Sequence, residues 1–299
     1  MEIHQKNITS TRNKVMKGFY KLTILYISIL FYILLGCGNN NKQVTKNKVV
    51  PKPPLQGTAH KRTDGLKVIH VFVALCDNTY QGIVPVPAKI GNGQDPANNL
   101  YWGCSYGIKS YFKNSKEWVL QKDDFAVSAP ILERRVFKHV DHNTWMVADA
   151  YDGKYIKQCT QHFLGASCGN RFDSIQLGNG QKIMTAGSAD LLAYVGHDGL
   201  MDFRLEEGYP ANDSLKRETI VLACISKSYF APILRQTNAI PILWSTGLMA
   251  PEAYVLHDAL RAWVHNQPNE TIRTNAAAAY SKYQKCSLKA ARNLLVSGW

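Results

Sequence analysis

The sequence predicts an α/β domain over residues 66–299, a mostly parallel sheet flanked by helices in three layers. Three observations carry this. Short apolar runs recur: KVIHVFVALC (67–76), TWMVADAYDG (144–153), ADLLAYVGHDG (189–199), TIVLACIS (219–226) and AIPILWSTG (239–247). Unbroken apolarity, rather than alternation, marks a strand covered on both faces. Helical stretches separate or follow these runs, among them KYIKQCTQHFLG (154–165), KSYFAPILRQ (227–236) and APEAYVLHDALRAWVHN (250–266). Strands alternating with helices build parallel sheets with both faces covered. Finally, polar side chains collect where these runs end, at Asp77, Asp149, His197, Cys224, Ser245 and Thr246, and ligands of such sheets lie outside the carboxyl ends of the strands.

The chain begins with a different kind of segment. Residues 1–21 carry five Lys or Arg against Glu2, and LTILYISILFYILLG (22–36) carries no charge. Fifteen residues are short of the roughly 20 that a bilayer-spanning helix needs. A basic start and a short apolar run read as a secretion signal, with an uncleaved signal anchor as the alternative. The run ends in Leu34-Leu35-Gly36-Cys37, which resembles the lipobox of bacterial lipoproteins. The resemblance implies removal of residues 1–36 and lipidation of Cys37 by acyl chains such as palmitate, holding the protein to a membrane. Asn39 and Asn40 stand where an Asp would retain a lipoprotein in the inner membrane, so it also implies the outer membrane, on its periplasmic or its cell-surface face. Residues 37–65 are rich in Asn, Lys, Pro and Gly; they lack the apolar surface to offset their ordering entropy and read as a disordered tether.

This division changes the meaning of the net charge of +13. Eleven of the 35 Lys and Arg but only two of the 22 acids fall in residues 1–65, leaving +4 for the body. The basic tether suits anionic lipid headgroups, and the mildly basic body argues against nucleic acid. A body of about 230 residues can bury one substantial core and reads as a single domain.

Within the body, 80–99 is a long loop holding Pro, Gly and Asn, of a length that tends to be functional. LYWGCSYGIKSYFK (100–113) reads as an aromatic-rich helix, and WVLQK and ILERRVFKHV as strands near a sheet edge. ETIRTNAAAAYSKYQK (270–285) closes as a helix.

The chemistry rests on Tyr194-Val195-Gly196-His197-Asp198-Gly199 and Val221-Leu222-Ala223-Cys224-Ile225-Ser226. Strands consecutive in sequence are neighbours about two-thirds of the time, which would put an imidazole and a thiol at one sheet edge. A thiolate that attacks a carbonyl and an imidazole that protonates the leaving amine suffice for acyl transfer. A helix starting at Ser226 would lower the thiol pKa. The two motifs resemble the caspase-type fold of cysteine peptidases, which includes legumains, gingipains and clostripains. The resemblance implies a caspase-like sheet, His197 as general acid and base, Cys224 as nucleophile and Gly199 as an oxyanion-hole donor. Asp198 stands where that family has glycine directly after histidine, and only 27 positions separate His197 from Cys224.

Asp149, Asp152 and Glu252 are candidates for binding a basic substrate side chain, with structural capping as their alternative. His139 and His142 lack a third ligand at zinc-like spacing, so no metal is assigned. No nucleotide or cofactor motif is found. The body's six cysteines, Cys76, Cys104, Cys159, Cys168, Cys224 and Cys286, permit disulfides in an oxidising compartment, Cys159 with Cys168 first among them. A buried core thiol remains the plain alternative for Cys224. Two functions therefore stand: a cysteine endopeptidase or amide hydrolase acting on a peptide or protein, or a non-catalytic lipoprotein that binds a peptide, polymer or protein through residues 80–112, where Tyr80, Tyr101 and Trp102 supply aromatic surface.

Overall fold

The computed structural model describes residues 65–299. The signal, the Cys37 lipobox and the tether up to residue 64 lie outside the described residues. Among the described residues no helix is long and apolar enough to cross a membrane.

The chain runs through β1 (Lys67–Ala74), α1 (Ile108–Lys113), β2 (Trp118–Ser128), β3 (Ile131–His139), β4 (Thr144–Tyr151) and α2 (Ile156–Ser167). A hairpin of β5 (Phe172–Gln176) and β6 (Lys182–Ala186) follows, then β7 (Leu191–Val195), β8 (Glu218–Leu222), α3 (Ser226–Leu234) and β9 (Ile240–Ser245). Helices α4 (Ala253–Val264), α5 (Asn269–Gln284) and α6 (Leu288–Leu294) lead to the two-residue β10 (Leu295–Val296). Eight strands form one sheet in the order β10-β9-β8-β7-β1-β4-β3-β2, and β5 and β6 pair separately. From β4 to β9 every neighbouring pair is parallel; β2, β3 and β10 join antiparallel.

Both faces of the central strands are dry, as their unbroken apolar runs require. Ile69, Val71 and Val73 of β1 join Ile108, Phe112, Leu256, Leu260, Ile272 and Ala276 on one side. Val68, Phe72 and Ala74 join Phe163, Leu164, Ile183 and Phe230 on the other. Helices α1, α4 and α5 thus cover one face, and α2, α3 and the small hairpin cover the other. Full burial of such a side chain contributes about 1.5–3 kcal/mol.

Three sequence expectations change. The helix expected over 100–113 shortens to α1, preceded by turns; a Cβ on Gly103 or Gly107 would sit 2.0 Å from Ala97 O or 2.5 Å from the Trp102 backbone, so these residues fold tightly onto the loop. Tyr101 and Trp102 are buried rather than displayed; the Trp102 indole donates to Glu133 at 2.6 Å. All six body cysteines are free. Cys159 and Cys168 lie within and at the end of α2, so nine residues at 1.5 Å rise separate them by about 13 Å, beyond the roughly 7 Å limit for a disulfide.

Candidate functional site

The carboxyl edge of the parallel strands is built by the loops that leave them. β7 and β8 are adjacent and parallel, with Val195 opposite Leu222, and Gly196 N donates to Leu222 O to extend the ladder (3.1 Å). His197 and Cys224 each come two residues later. The link between these strands, residues 196–217, holds a 3₁₀ turn, Gly199–Met201, and otherwise irregular chain in place of an α-helix.

Cys224 sits in a sharp strand–turn–helix corner. Ile225 has φ +51°, a left-handed conformation costly for a β-branched residue. The corner is over-determined around it: Ile225 N donates to Gly247 O at 2.8 Å, Ser226 Oγ donates to Val221 O at 2.8 Å, and Ser245 N donates to Ser226 Oγ at 2.9 Å. The thiol lies against the β9–α4 loop, accepting from Met249 N at 3.4 Å and reaching Met249 O at 3.5 Å. Burial pushes its pKa up, the Met249 N–H opposes this, and the Asp198 carboxylate pushes it up further. Contrary to the sequence expectation of a lowered thiol pKa, the shift at Cys224 is upward.

The His197 imidazole is buried and its Nε2 lies 2.8 Å from Asp202 Oδ2. The same carboxylate oxygen accepts from Gly82 N at 2.9 Å, tying the long 80–99 loop to the site. A carboxylate only accepts, so Nε2 carries the proton and Nδ1 is the basic nitrogen of the neutral ring. Tyr194 OH donates to His197 O at 2.8 Å and fixes the backbone.

Asp198 is 0% exposed. Its Oδ1 accepts from Leu200 N at 3.0 Å, but its Oδ2 is buried without a hydrogen-bond partner. Burial, with Asp202 adding to it against the Leu200 N–H, pushes its carboxyl up to about 7. Gly199 begins the 3₁₀ turn and is packed tightly; a Cβ there would lie 2.7 Å from the Phe203 ring. The strand end demands Gly196, whose φ is +144° and whose Cβ would lie 2.6 Å from Ala74 O.

The remaining candidates separate. Asp149 lies inside β4, wholly buried, with Arg134 Nε at 2.6 Å from Oδ1 and Arg134 Nη2 and His70 Nε2 at 2.7 and 3.0 Å from Oδ2. Against the cost of burial, these partners hold its carboxyl down at about 2. His70 Nδ1 accepts from Ala186 N and Arg134 also reaches Asp173, so this network fastens the β5–β6 hairpin to the sheet and has no oxygen left for a substrate. Asp152 caps the 3₁₀ turn Gly153–Tyr155 through Lys154 N and accepts from Gln94 Nε2 at 2.6 Å, a capping and loop-anchoring part. Glu252 opens α4, accepts from Tyr254 OH and Gln284 Nε2, and has its carboxyl raised by burial. It belongs to the Cys224 neighbourhood: Cys224 and Glu252 both act on the buried Tyr101 hydroxyl, whose pKa is raised by burial first and by Cys76 before either.

Asp202, Met249 and Gly82 are thus the site residues that the sequence motifs did not reveal. Comparisons with protein-family models, with curated proteins and with solved structures find no match.

Proposed function

We propose that the chain is a cysteine hydrolase of peptide or amide bonds with a caspase-like fold, in which Cys224 is the nucleophile and His197 the general acid and base. The single observation that supports this most is the central sheet: five parallel strands, with His197 and Cys224 following adjacent strands at matched register. Asp202 supplies the third member, orienting the imidazole so that Nδ1 is the nitrogen that would take the thiol proton. The thiolate then adds to the substrate carbonyl, the imidazolium returns its proton to the leaving amine, and water hydrolyses the acyl-enzyme by the reverse proton path.

Burial raises the pKa of the resting thiol, and Asp198 adds to it. Asp198 is buried and acts through space; a cationic substrate group entering beside Cys224 would offset that charge and ease ionisation of the thiol, which favours a basic side chain next to the scissile bond. The test is labelling with a thiol-directed peptidyl probe and hydrolysis of a fluorogenic peptide library. Cys224→Ala should abolish both, and His197→Gln should leave the thiol alkylable but slow turnover at least about 100-fold. Hydrolysis that survives Cys224→Ala overturns the assignment.

A second reading has its own observation. The imidazole's Nε2 is committed to Asp202 and the thiol to the Met249 backbone, as in a fold used for binding alone. Its surface within 80–112 would centre on the exposed Tyr80 and Tyr106. Under it, the probe leaves Cys224 unlabelled in folded protein while a peptide or protein ligand is still retained. For either reading the proposed anchor is Cys37 at the outer membrane; Cys37→Ala should block palmitate incorporation and release the protein from the membrane fraction.

A further inference from the structure

A cavity of about 450 Å³ lies between the turn after α1 and helix α4. Tyr106, Tyr111, Ser115, Lys116, His257 and Arg261 contribute to its walls. His257 is only 5% exposed. Its Nδ1 lies 2.9 Å from Asp258 Oδ1 and its Nε2 lies 2.9 Å from Ser115 Oγ. Because the carboxylate can only accept, Nδ1 holds the ring proton, and the neutral imidazole offers its Nε2 lone pair to the Ser115 hydroxyl. Serine, imidazole and carboxylate therefore stand in series with both joints at hydrogen-bond length, and such a relay is recognised by geometry and role rather than by order in the chain.

The surroundings fix this relay. Glu117 N donates to Ser115 Oγ at 3.0 Å, which leaves the hydroxyl hydrogen to point at the ring. Tyr111 and Phe112 pack against the imidazole with ring centroids 5.3 and 5.4 Å away. Glu117 Oε1 is engaged by Arg261 Nε at 2.8 Å, whereas Oε2 is buried without a hydrogen-bond partner, 3.6 Å from His257 Nε2. That oxygen is closed off from the cavity and sets a fixed negative charge beside the imidazole. At the mouth Arg261 is paired with Glu117 and Asp258, and the exposed Lys116 adds positive charge.

We propose that Ser115, His257 and Asp258 form a serine-hydrolase centre separate from Cys224, acting on small esters whose acyl part carries an anionic group. Ser115 Oγ forms a bond to the ester carbonyl carbon as its proton passes to His257 Nε2. The C–O bond to the alcohol breaks, and the alcohol leaves with that proton. Water then adds to the acyl-serine, giving its proton to His257. The serine oxygen leaves and recovers the proton, releasing the carboxylic acid.

The test uses the full chain in the Cys224→Ala background, so that the thiol supplies no turnover. The probes are a fluorophosphonate and two chromogenic esters, 4-nitrophenyl acetate and the anionic 4-nitrophenyl hemisuccinate. Expected results are fluorophosphonate labelling at Ser115, loss of labelling and at least about a 100-fold loss of ester hydrolysis in Ser115→Ala, and a raised KM for the hemisuccinate alone in Lys116→Ala. Ser115→Cys covers the case in which alanine unfolds the turn: its thiol, beside His257, should be alkylated by iodoacetamide at neutral pH. Absence of fluorophosphonate labelling in folded Cys224→Ala protein, labelling that persists in Ser115→Ala, or an inert Ser115→Cys thiol overturns the proposal.

Discussion

Replacing Asp198 by asparagine isolates the energetic consequence of a buried carboxyl beside the candidate nucleophile. Burial raises its pKa from the ordinary 3.8 to about 7, so the folded state binds a proton more tightly than the unfolded chain. The sign follows directly: the protonated carboxyl's contribution is fully present below about pH 4 and is lost as pH rises through about 7. Three pKa units at 1.36 kcal/mol each set a ceiling of about 4 kcal/mol, of which about 3 kcal/mol is lost between pH 4.5 and pH 8. Asparagine has nearly the same shape and no such titration. It adds a pH-independent cost for its own buried amide, so the informative quantity is the change with pH of the difference between variant and wild type. Urea unfolding at the two pH values reads it. With a slope near 3 kcal/mol/M, the variant should gain about 1 M in midpoint relative to wild type at pH 8 over its position at pH 4.5. A difference that stays constant within about 0.2 M refutes the reasoning. Because Asp198 also pushes the Cys224 thiol up, the same variant should be alkylated faster at pH 7.5.

Asp149→Asn should destabilise by about 3 kcal/mol in thermal or urea melts, because it leaves the buried Arg134 guanidinium undercompensated, with the β5–β6 hairpin the first part to lose protection from hydrogen exchange. Gly196→Ala should cost about 2–4 kcal/mol by the same melts, through its left-handed φ and its collision with Ala74 O. His162 is held down at about 4 by burial first and by Arg171, with Tyr151 OH against its Nδ1; a folded pKa below the unfolded value means stability falls as pH drops from 6.5 towards 4. After screening of this partly buried ring the loss should be about 1–2 kcal/mol, and His162→Gln should flatten it.

The legible part of the fold is the part dictated by burial on both faces. β1, β4, β7, β8 and β9 needed unbroken apolar runs, and those runs are visible in the sequence. β5 and β6 escaped notice because Phe172, Gln176, Lys182 and Met184 face solvent and leave no apolar signature beyond a Gly-Asn-Gly turn. The level of His197 and Cys224 in the sheet followed from strand order alone, but their partners did not. Asp202 reaches the imidazole only because the chain turns back at Gly199–Met201, and Met249 meets the thiol through the path of the β9–α4 loop. Asp149 looked like a strand-end acid because its partner Arg134 is distant in sequence yet directly opposite in register. The Ser115–His257 contact spans 142 positions and carries no local pattern.

The sheet's outer margin bears on how a peptide can reach this protein. β2 is eleven residues long, yet its pairing with β3 slips at Leu120/Lys122 and again at Phe125/Ser128, and Ala126 has φ +48°. Lys122, Asp123 and Asp124 place charge along it, and the exposed Phe125 ring is covered by Arg135 at 4.6 Å. Such a border offers no straight run of amides for strand addition. An extended chain that hydrogen-bonds backbone to backbone would therefore find no docking track along this side, and under the proposed hydrolase reading the substrate approaches end-on, over the loops that leave β7, β8 and β9.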